Sequence, residues 1–304
     1  MSGAFRVGTR RSALARAQTE GVLARLGRRH PALRWEVVPL DTSGDRDRRP
    51  GRSPDFTDAL DRALLDRTID LAVHSAKDLP AELSPGLALL ATPRRADPRD
   101  CLVGEAADAG RELPRGARIG SSSPRRRAQL LRWRPDLSVV ELRGNVDTRL
   151  AKVRAGEVDA AVLAVAGLLR LGRPAEIGRI LPASRFLPAP AQGALAIVGR
   201  AGDRRAAAAV RGIDHTATRA AVRAERAFAA AVGGDCLLPL GALATVRGPR
   251  LSIVGEVLAP DGRTSLRADR RGPVARSAAL GAGIGAALRA RGARALMTSA
   301  AGSA

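Results

Sequence analysis

The feature that most constrains the fold is a recurring junction, in which a short apolar run of strand length meets a small or polar residue and then the first turn of an amphipathic segment. It occurs at Gly8-Thr-Arg-Arg-Ser12, His74-Ser-Ala-Lys-Asp78, Gly120-Ser-Ser-Ser-Pro-Arg-Arg126 and Leu142-Arg-Gly-Asn-Val-Asp-Thr-Arg149. Strands alternating with helices build an open α/β sheet, because neither element can bury its apolar side alone. In such sheets ligands bind beyond the carboxyl ends of the strands. A helix N-terminus already carries partial positive charge and unpaired N–H donors, so cations there are unfavourable unless an anion is near. Every one of these junctions carries Arg or Lys beside hydroxyls or amides, which predicts a ligand with several carboxylates or phosphates.

With 304 residues, two or three domains are expected. A first α/β set reads as a strand at Phe5–Gly8, a helix over Ser12–Leu26, a strand at Arg34–Leu40, a helix over Phe56–Leu65 and a strand at Ile69–His74. A second set starts near residue 99, with strands at Cys101–Val103, Ala117–Ile119 and Ser138–Leu142, helices from Pro124 and Val146, and an apolar run Ala160–Leu169. After a strand at Ala194–Val198, a helix over Thr216–Val232 leads into strands Leu240–Val246, Leu251–Leu258 and Ser265–Arg271 and a last helix Ala275–Arg289. The fold class expected is two α/β domains, like those of periplasmic binding proteins, around a cleft, with a smaller α+β C-terminal domain. The boundaries expected are 1–95 with 194–212, 96–193, and 213–304.

A formal charge of +21 points first to nucleic acid, since basic chains gain affinity by releasing counterions from phosphates. That class is set aside. Of 51 basic residues only Lys77 and Lys152 are lysine, so the excess follows a bias towards Arg, Ala and Gly codons, and it is spread along the chain. Aromatics amount to 2%, too few for stacking platforms. No apolar run is long enough to span a bilayer, and MSGAFRVGTRRSALAR lacks an apolar signal core, so a cytoplasmic protein with no membrane partner is expected. The two cysteines, Cys101 and Cys236, are too few for a disulfide framework.

Ser121, Ser122 and Ser123 can cap a helix that starts at Pro124, and Arg125 and Arg126 offer planar forks suited to carboxylate. A capped surface helix with solvated arginines fits the same residues, as it fits Arg143 and Arg149 at the next junction. Lys77 and Asp78 follow an apolar strand, where Asp78 could steady a cationic intermediate or serve as a cap. His74 reads as a buried, hydrogen-bonded histidine. Cys236, in Gly233-Gly-Asp-Cys-Leu-Leu-Pro-Leu-Gly241, lies in a glycine-rich loop open to a bulky adduct, whereas Cys101 fits a buried apolar role.

Taken together these stretches resemble the porphobilinogen deaminase (hydroxymethylbilane synthase) family over nearly the whole chain. The resemblance is carried by GTRRSALARAQ (8–18), DLAVHSAKDLP (70–80), ADPRDCLV (96–103), IGSSSPRRRAQL (119–130), LRGNVDTRL (142–150), VLAVAGLLRLG (162–172), LPAPAQGALAI (187–197), AERA (224–227) and GGDCLLPLGA (233–242). It implies a transferase of tetrapyrrole and heme biosynthesis that polymerises four porphobilinogen molecules with loss of ammonia. A dipyrromethane cofactor would be attached to Cys236 through a thioether. Asp78 would be the catalytic carboxylate, assisted by Arg10 and Lys77. Cys236, Ser121, Ser122, Ser123, Arg125, Arg126, Arg143, Lys77 and Asp78 would hold the cofactor, and Arg10, Ser12, Arg149, Arg170, Gln18 and Gln192 the substrate. The resemblance further implies a monomer without metal, whose product passes to uroporphyrinogen-III synthase. The alternative is a catalytically altered paralogue that binds anions or tetrapyrroles. Ser43 stands where the family usually has a basic residue, Leu237 where it often has a polar one, Val198 where it has a glutamate. Ser53-Pro-Asp-Phe56 replaces a glycine-rich segment expected to lie over the site, where Arg46, Arg48, Arg49 and Arg52 are the candidate compensating charges.

Overall fold

The computed structural model describes residues 4–46, 56–104, 112–233 and 238–298. In chain order the first elements are β1 (Phe5–Arg10), α1 (Ala13–Arg29), β2 (Trp35–Leu40), the short α2 (Ser43–Arg46), α3 (Asp58–Leu65), β3 (Leu71–Ser75) and β4 (Leu87–Ala91). Then come β5 (Asp100–Val103), β6 (Arg118–Gly120), α4 (Pro124–Trp133), β7 (Ser138–Val140), α5 (Val146–Arg154), β8 (Ala160–Ala164) and α6 (Val165–Arg170). The chain continues through β9 (Leu195–Arg200), α7 (Arg204–Arg211), α8 (Thr216–Val232), β10 (Leu240–Arg247), β11 (Arg250–Leu258), β12 (Ser265–Pro273), α9 (Ser277–Ala290) and α10 (Ala293–Thr298).

These elements divide into two compact units, 1–96 with 194–219 and 97–193 with 220–304. The first holds a five-stranded sheet in the order β2-β1-β3-β9-β4, with β1 parallel to β2 and β3, and β9 antiparallel to β3 and β4. Phe5, Val7, Val22, Leu26, Leu71 and Ile197 form its main core. Residues 213–219 pack with this unit. Asp214 accepts from Thr92 N at 2.7 Å, and Arg219 donates to the carbonyls of Leu89 and Leu90.

The second unit contains two sheets. One is four-stranded, β5-β8-β6-β7, and its strands alternate between two cores: Leu102, Ile119 and Val162 on one side, Cys101, Val103, Ala161 and Leu163 on the other. Burial on both faces explains why these strands read as unbroken apolar runs. The other is the antiparallel β10-β11-β12, packed on α8 and α9 around Phe228, Ile253, Val257 and Leu288. Buried carboxylates tie the two sheets together. Glu225 accepts from Ala191 N and from Ala244 N at 2.7 Å, and Glu256 pairs with Arg132 of α4.

Candidate functional site

The first unit presents one set of expected site residues where β1 and β3 end. Ser12 caps α1, its hydroxyl accepting from Ala15 N at 3.3 Å, so the chain turns directly from strand to helix after Arg10. The Arg10 guanidinium lies 3.9 Å from the centre of the Phe56 ring. Gln18, buried on α1, donates to the Ser75 hydroxyl at 2.9 Å and accepts from it at 3.2 Å, linking the helix to the end of β3. There β3 passes into a single 3-10 turn, Ala76–Asp78, whose first N–H donates to Ala194 O at 3.0 Å. Lys77 and Asp78 are half-buried on this turn.

His74 is buried as expected, and its Nε2 has no hydrogen-bond partner. Burial first, and the charge of Arg10 second, lower its pKa to about 4. The imidazole is therefore neutral at physiological pH.

The second unit presents the other set around the start of α4. Pro124 occupies the first turn, and the Ser123 hydroxyl accepts from Arg126 N at 3.4 Å. Ser121 accepts from Ser123 N at 3.2 Å, and Ser122 donates to Leu142 O at 2.6 Å, binding this junction to the next. At that junction Asn145 caps α5, accepting from Thr148 N at 2.8 Å. Arg143 donates to Glu141 at 2.7 Å, Arg149 Nε to Gly144 O at 2.9 Å, and Arg170 to Gly193 O at 2.6 Å.

Arg125 and Arg126 are not solvated. Both are buried and donate to Asp100, at 2.8 and 2.7 Å, and Gln192 joins the same carboxylate at 2.9 Å. Burial would raise the Asp100 pKa, but the two guanidiniums outweigh it and hold the carboxyl well below the usual range. Arg149 is pushed the other way. Burial, then the charge of Arg126, lower its pKa to about 10. Among the described residues no carboxylate pairs with Arg149, and Arg125 Nε and Arg126 Nε are buried without a partner. Two buried guanidiniums thus share one carboxylate, and Arg149 feels the charge of one of them, Arg126. Such a surplus favours a bound anion, because a buried cation is costly until it is paired.

Asp100 escaped the sequence reading. It lies 25 residues before Arg125 on another element, so no local spacing marks the pair; only its position at the start of an apolar strand, in Asp97-Pro-Arg-Asp100, could have drawn notice. Cys101 is fully buried with its thiol pushed up to about 12, by burial and then by Asp100. Cys236, Leu237, Ser53, Arg48, Arg49 and Arg52 lie outside the described residues, as does the side chain of Arg46. Of the segment expected to cover the site, Phe56 is described, against Arg10. Val198 is buried within β9. Among the described residues no cluster of metal-ligating side chains occurs, and no helix is long and apolar enough to cross a membrane.

The family model "Porphobilinogen deaminase, dipyromethane cofactor binding domain" matches residues 5–208, and "Porphobilinogen deaminase, C-terminal domain" matches residues 219–290. A porphobilinogen deaminase of Thermus thermophilus is 47% identical over 276 residues, covering 90% of this chain and 92% of its own. One of Roseiflexus castenholzii is 43% identical over 302 residues, covering 98% and 99%. One of Syntrophotalea carbinolica is 44% identical over 297 residues, covering 96% and 94%.

Proposed function

The chain belongs to the porphobilinogen deaminase family, and from that premise we propose that it joins four porphobilinogen molecules head to tail, losing ammonia at each addition, and releases hydroxymethylbilane. The observation that most supports this reading is the pair of buried guanidiniums, Arg125 and Arg126, on the single carboxylate of Asp100, with half-buried Arg149 under the charge of Arg126. Every pyrrole of the substrate carries an acetate and a propionate, and planar guanidiniums suit such anions.

The cofactor of the matched domain is dipyrromethane. The donor set of the second unit fits a pair of linked, carboxylate-bearing pyrroles: arginines with unspent buried N–H groups, beside serine hydroxyls and a helix N-terminus. Bound there, dipyrromethane supplies the terminal pyrrole carbon to which substrate is added. Cys236 holds it through a thioether, Ser121, Ser122, Ser123, Arg125, Arg126 and Arg143 take its carboxylates, and Lys77 and Asp78 complete its binding. In the first unit Asp78 accepts from pyrrole N–H groups and stabilises the positive charge that develops as ammonia leaves. Arg10 and Lys77 assist it. Arg10, Ser12, Arg149 and Arg170 orient the substrate carboxylates, with Gln18 and Gln192 behind them. The division of labour is one domain for catalysis (1–95 with 194–212), one for carboxylate binding (96–193) and one for the cysteine (213–304). The protein acts as a cytoplasmic monomer without nucleic acid or membrane, and its product passes to uroporphyrinogen-III synthase.

Asp78→Asn tests this assignment. The variant should fold and carry its cofactor while kcat falls by roughly a hundredfold or more; near-normal turnover would refute the role.

A further inference from the structure

Asp100 opens β5 with no exposed surface, and three side chains converge on it. Its Oδ2 accepts from Arg125 Nη2 at 2.8 Å, and its Oδ1 from Arg126 Nη2 at 2.7 Å and Gln192 Nε2 at 2.9 Å. The other terminal nitrogen of each arginine is tied to backbone, Arg125 Nη1 to Leu187 O at 2.6 Å and Arg126 Nη1 to Val162 O at 2.9 Å. Gln192 Nε2 also donates to Pro98 O at 2.8 Å. Two guanidiniums that would repel each other are thereby locked side by side.

A staple serving stability alone would be balanced in charge and hydrogen bonds, because an unmatched buried charge or donor is destabilising. This one is unbalanced. Both Nε donors are buried without an acceptor, and one carboxylate faces two cations, with Arg149 under the influence of Arg126.

We propose that Asp100 is a positioning residue for the carboxylate-binding site, and that Gln192 acts through Asp100 rather than on the substrate. Together they set the orientation of Arg125 and Arg126 and hold the surplus of that pair at one positive charge. This rests on the reading of the cluster as the place where pyrrole carboxylates are held.

The test uses the full chain with its cofactor, and compares Asp100→Asn, Gln192→Met and the double variant by steady-state kinetics, thermal melting and intact mass during turnover. Asp100→Asn should raise KM for porphobilinogen about tenfold, the scale of a lost charge-assisted hydrogen bond, with a smaller change in kcat. Enzyme-bound chains should shift towards fewer pyrroles. Gln192→Met should move KM the same way by a smaller factor, and in the double variant it should add nothing beyond Asp100→Asn. If Asp100→Asn does not fold, Asp100→Glu, which keeps the charge and shifts the anchor by one methylene, takes its place in the cycle. Wild-type KM and chain lengths in a folded Asp100 variant, whatever its melting temperature, would overturn the proposal. So would a Gln192→Met effect that multiplies with the Asp100 effect, as expected of a direct substrate ligand. A wild-type protein with neither primer nor turnover overturns the functional reading and this inference with it; an active wild type with insensitive Asp100 variants overturns this inference alone.

Discussion

Gly262 sits in the turn between β11 and β12 with φ +75°, and a Cβ there would stand 2.2 Å from Ala128 O and 2.8 Å from Arg132 N. Both atoms are backbone of α4, so they cannot rotate away. Gly262→Ala therefore carries two costs: about 1–2 kcal/mol for a left-handed non-glycine residue, and about 1–3 kcal/mol for overpacking. Gly156, in the same unit, has φ +72° and open space around its Cβ position, so Gly156→Ala carries the first cost alone. For a protein of this size 1 kcal/mol moves the melting temperature by roughly 2–4 °C, which puts Gly262→Ala roughly 2–12 °C below Gly156→Ala in a thermal scan. Because α4 carries Arg125 and Arg126 at its other end, KM for porphobilinogen should also rise in Gly262→Ala and stay unchanged in Gly156→Ala. Equal melting temperatures for the two variants would refute the packing argument.

The acid response should come in two stages. His74 titrates near 4 when folded and near 6.5 when free, so the unfolded chain takes the proton first and stability falls as pH drops from about 6.5 towards 4. The Asp100 carboxyl, depressed by its arginines, contributes stability above the usual carboxylate range, and that contribution is lost as pH falls further. Melting curves from pH 7 to 3 should show both stages, and His74→Gln should remove the first; a melting temperature flat from pH 7 to 4.5 would contradict this. Thiol titration of the native protein should find Cys101 unreactive, since it is buried with its thiol pushed up to about 12. In denaturant one thiol should appear rather than two, the result expected from the proposed thioether at Cys236; two reactive thiols would contradict that attachment.

Much of the scaffold was legible because its signals are local. The capping serines Ser12 and Ser123, Pro124 at the helix start and the apolar strands 71–75 and 195–200 all stand near where the residue pattern put them. The run Ala160–Leu169 was legible only as a single apolar stretch. It changes from β8 to α6 at Val165, with no capping side chain to mark the switch. Leu87–Ala91, an apolar run between turns, carried no period to separate strand from loop, and the alanine-rich α7 and the terminal α10 were likewise unmarked. Arg125 and Arg126 show the limit most sharply. Their forks were readable, but the Asp100 carboxylate that turns them inward is set by tertiary packing of β5 against α4. Arg127, one residue on, is exposed, donating to Val139 O at 2.6 Å.

The central claim is that this chain builds its product on a primer bonded to its own cysteine. The intact mass of the purified protein tests that most directly. An excess equal to two linked pyrrole units, present in the wild type and absent from Cys236→Ser, is the predicted result. A wild-type mass equal to that of the bare chain, in a protein that still consumes porphobilinogen, would contradict it.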